Sequence, residues 1–204
     1  MTEVQLLVFE ACDLLDLGGP YEVLLTANRE TLGDGPAQPF DVRTVSADGA
    51  AVRAYGGLGL EPTGPATPAG GIFLVPGAID LTPALGDPRV LEVIRRCGDA
   101  ADLVASVCTG SILLGAAGLL EGVEATTHHE DLHLLAAYIG KDRVHGDVRW
   151  VDAGNVVTAG GLSSGIAMAL HLVARYTSSE RAAAVADRLE YDWDPDAGVT
   201  LVAP

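Results

Sequence analysis

Apolar residues fall along this chain in short runs that end at small or polar corners, with longer segments of helical spacing between them. Val4–Phe9 is the first such run and predicts a strand; Cys12–Leu17 reads as the turn out of it. Gly18-Gly19-Pro20 then predicts a helix start, with Pro in the first turn and the helix running to about Arg29. Gly33–Pro39 reads as a loop, and the alternation of Phe40–Ser46 predicts a strand. Asp48-Gly49 is a hairpin signal, so Ala51–Tyr55 is expected to return as a second strand. Gly56–Gly70, rich in Gly, Pro and Thr, reads as irregular surface chain.

The second half is more regular. Gly71–Val75 predicts a central strand that ends in the loop Pro76-Gly77. Pro88–Asp99 predicts a helix capped by Asp87, with Val90, Leu91, Val93 and Ile94 on its apolar face and a structural Cys97 near its end. Leu103–Val107 predicts a buried strand, and Ile112–Leu120 a helix closed by Glu121-Gly122. Val123–Thr127 reads as a short strand leading to His128, and Glu130–Ile139 as an amphipathic helix stopping at Gly140. Val148–Val151 and Val156–Ala159 flank a hairpin turn. Ser163 or Ser164 caps a helix to Tyr176, and Ser178 or Ser179 caps the next, from Glu180 to about Glu190. The tail from Tyr191 is expected to pack loosely. Strands alternating with helices indicate an α/β sandwich around a mostly parallel sheet, whose active site lies beyond the carboxyl ends of its strands. Three of those ends carry chemistry: Asp16, Gly77 and Cys108.

Cys108 stands at the corner between its strand and the following helix, with Thr109, Gly110 and Ser111 directly after it. This is the arrangement of a nucleophile elbow, in which a sharp turn lifts the reactive side chain above the sheet. Helix-terminal amides and their partial positive charge are expected to lower the thiol pKa. The alternative is a buried structural cysteine. Asp16 has two readings as well: a carboxyl partner for the sulfur in an apolar setting supplied by Leu14, Leu15 and Leu17, or a helix N-cap beside Gly18-Gly19-Pro20.

Composition narrows the classes of function. The 204 residues fit one domain with a sizeable core, and 49% apolar against 20% charged residues indicates a globular chain. A net charge of −16 argues against nucleic acid and against anionic membrane surfaces. No apolar run is long enough for a membrane span, and the N-terminus lacks the pattern of a secretory signal. Three scattered cysteines make no disulfide framework and fit a reducing cytoplasm.

LLDLGGP at Leu14–Pro20, Val75-Pro76-Gly77, ASVCTGS at Ala105–Ser111, LGAAGLL at Leu114–Leu120, ATTH at Ala125–His128 and VTAGG at Val157–Gly161 are similar, in this order, to the ThiJ/PfpI superfamily. Gly165-Ile166 and Leu189-Glu190-Tyr191 continue the resemblance, which runs over nearly the whole chain and is nearest to the isocyanide hydratase branch. It implies a flavodoxin-type, class I glutamine amidotransferase-like fold, a homodimer, and no metal or organic cofactor. It further implies Cys108 as nucleophile and Asp16 as its acidic neighbour. The backbone amides near Gly77, Ala78 and Thr109 would stabilise a developing anion, and His128 would lie near the site. Two departures bear on this. Relatives usually read Pro-Gly-Gly where this chain has Pro76-Gly77-Ala78, so Ala78 would be strained if the position needed a positive φ. Protease-like relatives place His directly after the cysteine, where this chain has Thr109, which removes a Cys–His peptidase pair.

The activity so implied is hydration of an isocyanide to an N-substituted formamide through a thioimidate. Glyoxalase-like or deglycase-like action on 2-oxoaldehydes, ligand sensing as in AraC-type regulators, and redox sensing at Cys108 are the other readings. One further motif competes: His129-Glu130-Asp131-Leu132-His133 spells H-E-x-x-H, which would hold zinc if both His shared a helix face. Its other reading is an exposed polar helix face with fortuitous spacing.

Overall fold

The computed structural model describes residues 1–30 and 38–201; most of the loop expected at Gly33–Pro39 lies outside them. In chain order the elements are β1 (Thr2–Leu7), α1 (Leu14–Arg29), β2 (Phe40–Ser46), β3 (Val52–Arg53), β4 (Gly59–Leu60), β5 (Gly64–Pro65), β6 (Ile72–Val75), α2 (Thr82–Gly86), α3 (Pro88–Ala100), β7 (Leu103–Val107) and α4 (Gly110–Ala116). A 3-10 turn (His129–Asp131) leads into α5 (Leu132–Ile139), and β8 (Trp150–Asp152), β9 (Val156–Ala159), α6 (Ser164–Tyr176), α7 (Ser179–Arg188) and β10 (Val199–Thr200) complete the chain.

Eight strands form one sheet in the order β10-β8-β9-β7-β6-β1-β2-β5, parallel throughout except for the antiparallel β8–β9 pair. Helices flank this mostly parallel sheet, giving the flavodoxin-like sandwich expected from the alternation of elements. β6 and β7 are buried at every residue, which is why their sequences read as unbroken apolar runs rather than as alternation. β1, β6 and β7 are neighbours, with Leu6 beside Leu74 and Leu74 beside Ala105. Their carboxyl ends therefore release the chain at one place.

Several local expectations change. The first helix starts six residues before Pro20, at Leu14, because Asp13 rather than Asp16 caps it, its carboxylate accepting from the Leu15 N–H at 3.0 Å. This leaves Asp16 within the first turn and fully buried. Asp48-Gly49 does not close a hairpin between β2 and the next strand: Val52 pairs with Leu60, and the chain beyond β4 returns to β2 through Gly64 and Pro65. The helix after the elbow ends at Ala116 rather than Leu120, and Gly118 follows it with φ 83°. Val123–Thr127 contributes one isolated bridge, Ala125 to Val144, in place of a strand. Ser163 precedes α6 without a side-chain capping bond, whereas Ser178 caps α7 by accepting from the Arg181 N–H. The tail is held more firmly than expected: β10 adds to the sheet edge beside β8, and Trp150 lies directly over Gly198.

Candidate active site

The sheet's central carboxyl ends bring Asp16, Gly77 and Cys108 together. Cys108 follows β7 with φ 55°, a left-handed backbone uncommon for a side chain with a Cβ. Four contacts hold it there. Its N–H donates to the carbonyls of Ala159 (3.1 Å) and Gly160 (3.0 Å), and its carbonyl accepts from the Thr127 hydroxyl (2.9 Å) and the Ser111 hydroxyl (3.3 Å). Gly110 lets α4 start against the preceding strand end, since any Cβ there would strike the Val75 carbonyl. The elbow is thus over-determined by its surroundings, as a strained residue must be to persist.

The loop after β6 closes on the same point. The Gly77 N–H donates to Asp16 Oδ2 at 3.0 Å, and the Ala78 N–H donates to Thr109 Oγ1 at 2.9 Å, while that hydroxyl donates back to the Ala78 carbonyl at 2.8 Å. A Cβ on Gly77 would lie 2.5 Å from Thr109 Oγ1, 2.7 Å from the Thr109 nitrogen and 2.9 Å from Asp16 Oδ2, so only glycine fits between acid and elbow. Ala78 does not have a positive φ, and the Pro-Gly-Ala departure carries no backbone strain.

These bonds change the expected anion pocket. The amides of Gly77 and Ala78 already serve Asp16 and Thr109. The backbone groups that reach the Cys108 sulfur are the N–H of Thr109 and, from the other side, that of Leu162. Leu162 sits just before α6 with φ 43°, on the Gly160–Leu162 corner that also receives the Cys108 N–H. Its role was not legible in the sequence, because a leucine after a glycine pair carries no polar side chain to mark it. Thr127 was missed as well, although it stands inside the ATTH stretch.

The electrostatics also correct an expectation. Burial raises the Asp16 carboxyl to about 7, helped by the charge of Asp13 and opposed by bonds from Gly77 and Cys108. Burial, then the charge of Asp16, pushes the Cys108 thiol up to about 12, against the Thr109 and Leu162 amides. The anticipated fall of the thiol pKa does not occur, because the sulfur is only 8% exposed, faces a carboxylate, and precedes a helix of seven residues. Acid and thiol form one coupled system that holds a single proton across the neutral range. Asp16 Oδ2 is taken by Gly77, whereas Oδ1 is buried without a hydrogen-bond partner. A proton on the carboxyl belongs on Oδ1, free to be donated.

His128 stands off from this pair. Its ring packs on Gly161, and its Nδ1 lies 3.6 Å from Asp131 Oδ2. It borders a cavity of about 610 Å³ that also meets Thr127, Arg149 and Leu162. The H-E-x-x-H spacing does not make a paired His face. His129 opens the 3-10 turn, His133 lies in α5, and the His133 Nδ1 is 3.2 Å from the Glu130 carbonyl. Among the described residues, the side chains whose ligand atoms converge, within 4.8 Å, are His128, His129 and Glu130. Cys12 and Cys97 are buried and free, far from elbow chemistry in role if not in burial.

The sequence profile of the DJ-1/PfpI family matches residues 2–175. The chain belongs to the DJ-1/PfpI family. Within it, the chain is 38% identical over 209 residues to the isonitrile hydratase of Pseudomonas putida, an alignment covering 99% of this chain and 85% of that protein. The crystal structure of a ThiJ/PfpI family protein from Pseudomonas syringae superposes with a TM-score of 0.79 at 27% identity, covering 96% of this chain and 77% of that one. The HTH-type transcriptional regulator GbdR of Pseudomonas aeruginosa is 26% identical over 188 residues, which span 91% of this chain and 50% of the regulator. This DJ-1/PfpI chain has no helix, among its described residues, long and apolar enough to cross a membrane.

Proposed function

We propose that the protein hydrates isocyanides to N-substituted formamides, with Cys108 as nucleophile and Asp16 as the proton carrier. The observation that carries the reading is the buried Asp16 carboxyl coupled to the Cys108 sulfur, with one oxygen bound by Gly77 and the other unpartnered. The similarity to the Pseudomonas putida isonitrile hydratase supports the substrate class.

The isocyanide R–NC offers a terminal carbon that accepts both a nucleophile and a proton. In the one-proton pair, Asp16 takes the thiol proton, the sulfur adds to that carbon, and Asp16 Oδ1 delivers the proton to the same carbon. The product is the thioimidate R–N=CH–S–Cys108. Water then adds across C=N, its hydroxyl to carbon and its proton to nitrogen, with the Asp16 carboxylate relaying the proton. Collapse of R–NH–CH(OH)–S–Cys108 expels the sulfur and releases R–NH–CHO, and the departing hydroxyl proton returns to the pair. The sum is R–NC + H₂O → R–NH–CHO, with no redox change. The Thr109 and Leu162 amides stabilise the sulfur while it carries charge, at attack and at expulsion.

The test is turnover of an aryl isocyanide, followed by absorbance, in wild type, Cys108→Ala, Cys108→Ser and Asp16→Asn. Activity abolished in both Cys108 variants and reduced at least 10²-fold in Asp16→Asn is expected. Wild type without turnover, beside rapid alkylation of Cys108, would end the hydratase reading. The regulator relatives favour ligand sensing as the second reading, and binding of an isocyanide without turnover would move it ahead.

A further inference from the structure

The geometry points to a specificity subsite for the isocyanide's N-substituent: the apolar cavity between α4, α5 and the segment after Ala78. This inference rests on the hydratase reading and names which isocyanides the site accepts. The cavity has a volume of about 580 Å³, and its inner end is Thr109, the residue whose amide reaches the Cys108 sulfur. Ile79, Ile112, Leu134 and Tyr138 supply its walls. Thr109 cannot offer its hydroxyl to a substrate, because that group is closed in two bonds with Ala78. What remains at the inner end is hydrocarbon and one amide.

Charge sharpens the choice of ligand. The ionisable lining consists of Asp80 and Asp131, and among the described residues no Lys, Arg or His borders the cavity. Two carboxylates beside an apolar wall disfavour a carboxylated or phosphorylated substituent, both by repulsion and by uncompensated desolvation. The cavity on the other flank of the elbow differs in kind, since His128 and Arg149 border it. Ile79 and Leu134 are 66% and 42% exposed, large apolar residues at a mouth where a monomer's own packing leaves them uncovered. An uncharged aryl or branched alkyl group attached to the isocyanide nitrogen would cover them while its terminal carbon meets the sulfur. The enzyme is therefore specific for isocyanides bearing bulky, uncharged, apolar substituents.

Alkylation of Cys108 tests the subsite without relying on hydration. Rates with iodoacetamide and N-phenyl-iodoacetamide are measured by mass spectrometry for wild type, Ile79→Asp and Leu134→Asp, two exposed positions where a carboxylate leaves the core intact. The ratio of phenyl to parent rate is expected to fall roughly tenfold in each variant, the effect of losing part of one ring's burial, while the parent rate stays within about twofold. With isocyanides, KM for an aryl substrate should rise by a similar factor with kcat for a methyl substrate unchanged. An unaltered alkylation ratio in both variants overturns the subsite, whether or not isocyanides are hydrated. Absent turnover with a collapsed ratio would sink the hydratase reading and leave the apolar subsite standing.

Discussion

Asp16 is fully buried, and its carboxyl titrates near 7 in the folded chain against 3.8 as a model group. Folding must then be coupled to the uptake of a proton. A raised carboxyl pKa means that the native state holds the proton more tightly than the unfolded state. Its contribution is neutral below about pH 4 and turns against folding as pH rises towards 7. Three pKa units at about 1.4 kcal/mol each amount to about 4 kcal/mol of stability withheld at pH 8. Asp16→Asn removes the ionisation while keeping an oxygen for the Gly77 N–H. Urea unfolding of wild type and Asp16→Asn at pH 5, 6, 7 and 8 isolates the effect, because the other carboxylates cancel in the difference. The variant should gain on wild type by about 1.4 kcal/mol per pH unit from pH 5 to 7 and level off above that. Cys108→Ala should extend the slope above pH 7, since the thiol is one of the two groups holding the Asp16 pKa down. A difference that stays flat from pH 5 to 8 would refute the reasoning, as it would mean that the carboxyl ionises in the folded chain as readily as in water.

The remaining predictions concern rate and backbone. If the one-proton pair is the active form, kcat/KM for an aryl isocyanide rises with pH through about 7 and is steady to pH 9; a profile falling through 7 would exclude it. Gly77→Ala should abolish turnover and destabilise by about 2 kcal/mol in urea unfolding, because its Cβ would sit within 2.9 Å of both Thr109 and Asp16. Thr127→Val should destabilise by about 1–2 kcal/mol and slow Cys108 alkylation, as the Cys108 carbonyl loses its buried hydroxyl donor. Glu190→Gly should raise stability by about 0.5–1 kcal/mol, since Glu190 follows α7 with φ 51°, where glycine carries no Cβ penalty.

The strands at the sheet centre were legible because β6 and β7 are buried on both faces, and continuous apolar runs announce that state directly. The reactive corner was legible for a related reason: a cysteine followed by Thr-Gly-Ser at a strand-to-helix boundary leaves few other geometries. What the sequence hid were effects of long-range approach. Asp13 caps α1 in place of a residue near Pro20, because Pro20 is tolerated in a helix that had already begun a turn and a half earlier. The sulfur's second amide donor comes from Leu162, 54 positions downstream of Cys108 and distinguished by backbone conformation alone. The thiol pKa was misjudged because local helix polarity was visible in the sequence, whereas the depth of burial that outweighs it was not. The H-E-x-x-H spacing failed for the opposite reason, since a helical repeat has meaning only where the chain stays α-helical, and here it changes from a 3-10 turn at Leu132.

The Thr109 hydroxyl both receives a bond from the Ala78 N–H and returns one to the Ala78 carbonyl. Mechanically this is a clasp: two short links in parallel resist rotation as well as separation, so the elbow and the Gly77–Ala78 strip shift as one body. Asp16, tethered to that strip through Gly77, shifts with them. Thermal motion can carry the whole tile relative to the flanking helices without changing the gap across which the proton travels. Breathing of the cavity walls and constancy of the reacting distance are thereby separated, and a mouth that flexes to admit substituents of different size need not detune the proton transfer beneath it.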